Sequence, residues 1–471
     1  MSTASPLGNY KTKALSRRRA VLFDNDGSDV AMLCKGTAAE DLLAVRAKPA
    51  LEAGVDTYIY TTGWCFGIGL HDSRVGSVLR SKEQHLSQNR VADFEKAGTD
   101  CLSIQSEYVR RSGKEFFWGM RMNDTHDREY PFYLSAFKTE NPQVMLGPRT
   151  KYGSPTAVDY LDKRVTDFAV RYILDVVDRY DIDGICLDFF RHPVFFRSNA
   201  QGLPATGEEL AAMNSFLRRV KGELDKRRLA KSKYYLVSVR APDSVEYCRA
   251  IGLDLETWLQ EGLADILITS SYLQFNDWEY SAKLAHQHGV PVYPSLDESR
   301  FRGVQSGEGS RLPDYYGRVM NVWDAGCEGV FLFNQSGFWN MGRTKDALLA
   351  TVKGRAFVNT LSKRYYVSYR GVGTVAGGAL PFREYIKVPT LNHDAPIVVE
   401  GGRRVEVPIR LSDDLEAASA QGKRPLAVAG LIIAGDPKAL TVTLNGKALE
   451  VKLSAAQNYH YRRSKTECAL N

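Results

Sequence analysis

Asp188 sits where a carboxylate is costly. It lies inside the short apolar run Ile185 to Phe190, which the turn Asp181 to Gly184 precedes. A run this short, bounded by a turn, reads as a buried strand. A charge placed there has to be paired or used. On a strand, Cys186 and Asp188 share one face while Ile185 and Leu187 share the other. Arg191 and His192 follow at once.

Two carboxyl groups facing each other are what glycoside hydrolysis requires, one to give a proton and one to act as nucleophile or base. The candidate partners of Asp188 are Glu246, in the run RAPDSVEYC, and Glu298, beside Asp297. The alternative is a structural carboxylate that holds Arg191 or Arg240. Asp24, Asp26 and Asp124 read as acids that bind substrate or orient basic groups. Arg121, Arg191 and Arg240 either compensate these acids or meet sulfate or carboxylate groups, which planar guanidinium recognises through two bonds. His126 and His192 could contact hydroxyl groups or carry a proton. Trp64 and Trp339 suit stacking on sugar faces or plain core packing. Asn123, Tyr272, Asp297 and Asn334 complete the polar set expected to bind substrate.

These residues share one position relative to the elements that must carry them. Strands are expected at 20–23, 56–63, 115–122, 185–190, 235–239, 265–272, 291–296 and 329–333, with helical stretches between them. The alternation argues for a parallel sheet with helical crossovers. Eight such units argue for a closed (β/α)8 TIM barrel, whose sites sit at the C-terminal ends of the strands. The polar residues above follow those strand ends. From about 363 the pattern changes to short strand-like segments: Tyr365 to Tyr369, Pro396 to Val399, Arg404 to Leu411, Leu426 to Ile433 and Leu440 to Leu444. Asn445-Gly446 is a hairpin signal. The expected layout is an N-terminal extension over 1–19, a catalytic barrel over 20–345, a helical linker over 346–362 and a C-terminal β-sandwich over 363–471.

The 471 residues exceed one ordinary domain, and 44% hydrophobic composition allows a large core. The seven cysteines are scattered without CxxC spacing, which argues against a zinc site or a disulfide framework. No metal and no cofactor is expected: GxGxxG after the first strand, Walker A and GxSxG are all missing. A net charge of +7 permits an acidic partner without demanding nucleic acid. No run of eighteen apolar residues suggests a membrane span. The start, MSTASPLGNYKTKALSRRR, lacks the apolar stretch of a secretory signal. Composition says nothing of oligomeric state.

The run Tyr180-Asp-Ile-Asp-Gly-Ile-Cys-Leu-Asp188 resembles the fourth-strand motif of glycoside-hydrolase-like barrels, in which D-G-I/L-x-x-D precedes the site. FDND at 23–26, RMNDTHD at 121–127, LDFFRHP at 187–193 and RAPDSVEYCRAIGLDLETW are similar to a group of barrel proteins from bacteria that degrade complex polysaccharides. The resemblance covers roughly 20–345. A more remote similarity is to the retaining endo-fucanase family, which cleaves sulfated fucans. Carried over by position, it implies Asp188 as nucleophile and Glu246 as acid/base. Cys186 is a departure, since an acid often stands there in the bacterial group. The resemblance implies a hydrolase of an acidic, sulfated polysaccharide. The other classes to weigh are a non-catalytic glycan-binding barrel and a metal-dependent hydrolase or deacetylase. The last needs Asp24 or Asp26, a histidine and Asp188 at one point.

Overall fold

The computed structural model describes residues 6–147, 155–269, 274–296, 312–333, 341–365, 367, 383–389, 397–420, 422, 431–434, 441–449, 453–455 and 467–470. Its centre is a parallel sheet of eight strands: β1 (Val21–Asn25), β2 (Thr57–Gly63), β3 (Glu115–Arg121), β4 (Gly184–Asp188), β5 (Leu236–Ala241), β6 (Ile266–Thr269), β7 (Val292–Pro294) and β8 (Val330–Phe333). β8 pairs with β1, and each strand from β1 to β6 pairs with the next. A parallel bridge from Ser295 to Phe331 joins the two ends of this series. The order is consistent with a (β/α)8 barrel, as the alternation of elements predicts.

The pleat sorts each strand into two faces. Leu22, Ile59, Phe117, Cys186, Leu236, Ile266, Ile268, Tyr293 and Phe331 form one buried apolar cluster inside the ring. Phe23, Tyr58, Tyr60, Phe116, Trp118, Ile185, Leu187, Val237 and Val239 belong to a second cluster, shared with the helices outside. Alternate residues therefore point inward. One step up the same inner face, Leu22 gives way to Asp24, Cys186 to Asp188, and Ser238 to Arg240. Carbon fills the lower interior and charge the upper.

The strand that carries Asp188 is held between two long helices. After α1 (Pro6–Leu15) and α2 (Cys101–Arg111), helix α3 (Lys163–Arg179) starts at Asp162, whose side chain accepts from the Arg164 amide at 2.9 Å. Its buried stripe is Val165, Phe168, Ala169, Tyr172, Ile173 and Val176. Helix α4 (Gly207–Lys231) opens with a capping box of Thr206 and Glu209 and ends at Ser232, whose φ of 49° stops it.

Residues 6–15 of the N-terminal extension form α1, and its Leu7, Tyr10, Ala14 and Leu15 pack on the inner cluster. Two sequence expectations change. The helical stretch expected between the first two strands splits into Ala39–Val45 and Ala47–Glu52 at Arg46, which leaves helical geometry at φ −141° and sends its side chain inward. The strands expected at Pro396 to Val399 and Arg404 to Leu411 do not form over the described residues 397–411. The alternating apolar residues there misled the reading, and Pro408 has no amide to give a ladder.

The described C-terminal residues hold one antiparallel sheet and one hairpin. β9 (Leu431–Ala434), β12 (Leu453–Ala455) and β13 (Glu467–Leu470) make the sheet, with β13 central. β10 (Thr443–Leu444) and β11 (Lys447–Ala448) make the hairpin. Asn445 and Gly446 turn it with φ of 49° and 80°, the left-handed pair that this dipeptide favours. Residues 453–455 and 467–470 supply two strands of the sheet.

Candidate active site

Asp188 ends β4 and faces the interior, 1% exposed. Its Oδ1 accepts from the amides of Phe190 (2.9 Å) and Arg191 (3.1 Å), and its Oδ2 accepts from Arg240 Nη1 at 2.9 Å. Register explains the pairing, because Arg121, Asp188 and Arg240 are neighbours across β3, β4 and β5. Two cations thus flank the acid on adjacent strands. The Arg240 guanidinium lies 4.6 Å from the Phe333 ring and 5.1 Å from that of Phe331, so it spans the interior towards β8. Beneath Asp188, Cys186 is buried in the apolar cluster, and burial pushes its thiol up.

Asp24, on β1, is the register neighbour of Phe333. It is 1% exposed and accepts from Thr61 Oγ1 at 2.7 Å. Burial pushes its carboxyl up to about 7. The Thr61 bond and Arg240 work against that, while the charges of Asp188 and Asp26 add to it. Arg240 therefore acts on both Asp24 and Asp188. Gly119 leaves room for Thr61: a Cβ at 119 would stand 1.9 Å from Thr61 Oγ1 and 2.9 Å from its Cα.

A second chain of charges runs from β1 to the mouth. Asp26 meets Arg46 at 3.3 Å and Arg121 at 3.1 Å. Burial alone would raise Asp26, but those two guanidinium groups hold it at about 2. Arg121 also meets Asp124 at 2.8 Å. Burial would raise Asp124 too, and His126 and Arg121 hold it well below the carboxylate range. Asp124 Oδ1 contacts His126 Nδ1 and lies 3.2 Å from His192 Nδ1. Arg191 Nη2 lies 3.0 Å from His126 Nε2. His192 takes the left-handed φ of 54°, and its Nδ1 accepts from the Thr125 amide at 2.9 Å. Burial lowers the His192 ring from its ordinary value, against the pull of Asp124.

The remaining expected residues have other surroundings. Trp64 is buried; its Nε1 donates to the Asp26 carbonyl at 2.5 Å, and its ring lies 5.7 Å from the Arg121 guanidinium. Asn123 is buried and serves only backbone, donating to the carbonyls of Val158 (2.9 Å) and Val194 (2.5 Å) and accepting from the Val158 amide (2.8 Å). Glu246 stands exposed on α5 (Val245–Ala250), where Ser244 Oγ donates to it at 3.1 Å. Tyr272, Asp297, Glu298, Asn334 and Trp339 lie outside the described residues. Sequence reasoning did not single out Arg46, Thr61, Gly119 or Thr125, all common residue types with no local signal of their role.

Among the described residues, Cys65, Asp124 and His126 offer donor atoms within 4.8 Å of one another. They fit a metal poorly. Asp124 is already shared by Arg121 and two histidines, and burial pushes the Cys65 thiol well up, keeping its proton. The histidines gather at Asp124 rather than at Asp188, so the convergence a metal-dependent hydrolase needs is not formed by these residues. No described helix is long and apolar enough to cross a membrane.

No protein-family model matches the chain, and neither does any curated protein. Solved structures give distant likenesses. A noncanonic maltogenic alpha-amylase from Thermotoga neapolitana aligns at 13% identity over 72% of this chain and 78% of that one, with a TM-score of 0.40. An alpha-L-fucosidase isoenzyme from Paenibacillus thiaminolyticus aligns at 15% over 71% and 48%, with a TM-score of 0.47. The PgaB glycoside hydrolase domain from Bordetella bronchiseptica aligns at 11% over 71% and 98%, with a TM-score of 0.43. At these scores the likenesses carry no functional weight.

Proposed function

We propose that the chain is a glycoside hydrolase that cleaves an anionic, sulfated polysaccharide of the fucan or carrageenan kind, with retention of configuration. The supporting observation is a pair of unlike carboxyl groups on one interior face. Asp24 is pushed up to about 7 and can carry a proton near neutrality. Asp188 accepts hydrogen bonds from two backbone amides and from Arg240. Two acids in such unlike surroundings suit a donor and a nucleophile.

In this reading a protonated carboxyl gives its proton to the glycosidic oxygen as the bond to the anomeric carbon breaks. An Asp188 oxygen bonds to that carbon. Water then loses a proton to the same acid and displaces Asp188, which restores both groups. Asp24 is the donor that the described residues favour. Glu298 and Glu246 are the competitors, one outside the described residues and the other exposed on α5. Arg191, half-buried beside His126, suits a sulfate or carboxylate on the sugar. The barrel of 20–345 carries the site, and 363–471 form an accessory β-sandwich module.

The test is direct. Purified protein is incubated with a sulfated fucan, a carrageenan and a uronic-acid polymer, and the products are sized. Shortening of a sulfated polymer is expected. If all three stay intact, the proposal fails. Asp24→Asn, Glu246→Gln and Glu298→Gln then identify the proton donor.

A further inference from the structure

The insertion after β3 carries rings that the site chemistry leaves unused. Tyr130 and Phe132 are half-buried on it, and His85, exposed, comes to them from the loop after β2. Their centroids are close: 4.8 Å from His85 to Tyr130, 5.6 Å from Tyr130 to Phe132, and 5.9 Å from His85 to Phe132. Tyr133 lies buried beneath, 4.8 Å from Phe132, and its hydroxyl is bound to His85 Nε2 at 2.5 Å. Tyr133 meets Trp64 edge-on at 5.7 Å, and Trp64 carries Arg121 on its ring. The Tyr130 amide donates to the His126 carbonyl at 3.0 Å. The rings are thus tied at two points to the charged mouth.

Core packing accounts for Tyr133 and Trp64. Tyr130 and Phe132 pack on the core with part of each ring and keep the rest in solvent beside the exposed His85, and clustered ring surface at a rim suits binding. The backbone also takes a cost to present them. Gln84, next to His85, has a left-handed φ of 50°, and Pro131 opens the turn between Tyr130 and Phe132. Both loops leave the C-terminal ends of their strands, the rim where a polymer entering a barrel site must pass.

We propose that Tyr130, Phe132 and His85 form an aromatic platform on which one sugar ring of the polymer stacks, a subsite next to the one where Arg191 and His126 meet its anionic group. This rests on the proposed polysaccharide substrate but not on catalysis. Flat rings cover the apolar face of a pyranose, and neighbouring cations take its sulfate or carboxylate.

The test is retention of the full chain in gels containing the sulfated fucan, the carrageenan or the uronic-acid polymer. Tyr130→Ala and Phe132→Ala should each weaken binding by about ten-fold, the loss of one well-buried ring contact. Tyr130→Phe and Phe132→Tyr should keep it, and circular dichroism should show all four variants folded under the conditions of the gel. Product sizing on the same samples separates the claims. If the chain binds a polymer without cutting it, the hydrolase reading fails and the platform stands or falls on the variants. Equal binding by Tyr130→Ala, Phe132→Ala and wild type overturns the platform alone. Binding to none of the polymers overturns both. A dimer broken by Tyr130→Ala would show the rings to be an interface between copies and would also overturn the platform.

Discussion

Arg240 Nη1 stands 2.9 Å from Asp188 Oδ2, the two residues being register neighbours on adjacent parallel strands. Both side chains are nearly out of reach of solvent, at 1% and 2% exposure. A buried ion pair of this kind adds little over apolar replacements of both members, but losing one member strands the other. Arg240→Met should therefore destabilise the chain by about 3–5 kcal/mol, with Asp188→Asn/Arg240→Met recovering part of that loss. Chemical denaturation of the two singles and the double measures it. Equal stability of Arg240→Met and wild type would mean that the pair contributes nothing.

Asp24 gives the fold a pH dependence. Its folded value of about 7 lies above the ordinary 3.8, so the native state keeps a proton that the unfolded chain has released. The stability it contributes is complete below the ordinary value and is lost as pH rises through about 7. Asp24→Asn should remove this loss, gaining on wild type by a few kcal/mol (~1.4 per unit) between pH 4 and 8. Unfolding midpoints across that range provide the readout. Parallel curves for the two proteins would exclude the effect. If Asp24 is also the donor, turnover should fall as pH passes about 7.

Asp26 behaves in the opposite sense. Arg121 and Arg46 hold it at about 2, below the ordinary 3.8, so its stabilising share is present above the ordinary value and disappears as pH falls through the lower one. Arg121 serves both Asp26 and Asp124. Removing it as Arg121→Met should cost about 3–5 kcal/mol at neutral pH. The cost should shrink in acid, where those carboxyls are protonated. A deficit independent of pH would point to packing rather than charge.

Gly119 tests the support of Asp24 without touching it. Gly119→Ala places a methyl group against Thr61, whose hydroxyl holds the Asp24 carboxyl. Overpacking of this kind should cost about 1–3 kcal/mol, and the pH-dependent stability assigned to Asp24 should shift with it. Gly119→Ala with wild-type stability and pH response would remove Thr61 from the site.

Much of the barrel was legible because each strand is a short apolar run closed by a turn, and such runs report burial directly. Asp188 stood out for the same reason, as a charge inside one. β1 runs on to Asn25, two residues past its apolar part, because the added polar residues find partners far along the chain: Asp24 at Thr61, Asn25 at Tyr58. Partners so distant leave no local trace, and neither does the charge of Asp188, which helps to raise the Asp24 carboxyl. Glu246 has a different setting. It follows β5 closely in sequence, but α5 begins there, and the first turn of that helix puts the side chain in solvent. In the C-terminal region the alternation Val405, Val407, Ile409, Leu411 looks like a strand, yet a strand needs a partner edge, and 397–411 have none among the described residues.

In the proposed reaction Asp188 forms and loses the bond to sugar. The measurement is product sizing from Asp188→Asn on the sulfated polymer that wild type shortens, beside a denaturation curve of the same sample. Loss of turnover by a folded variant that still binds the polymer is the expected result. Near-wild-type product release by Asp188→Asn would contradict it.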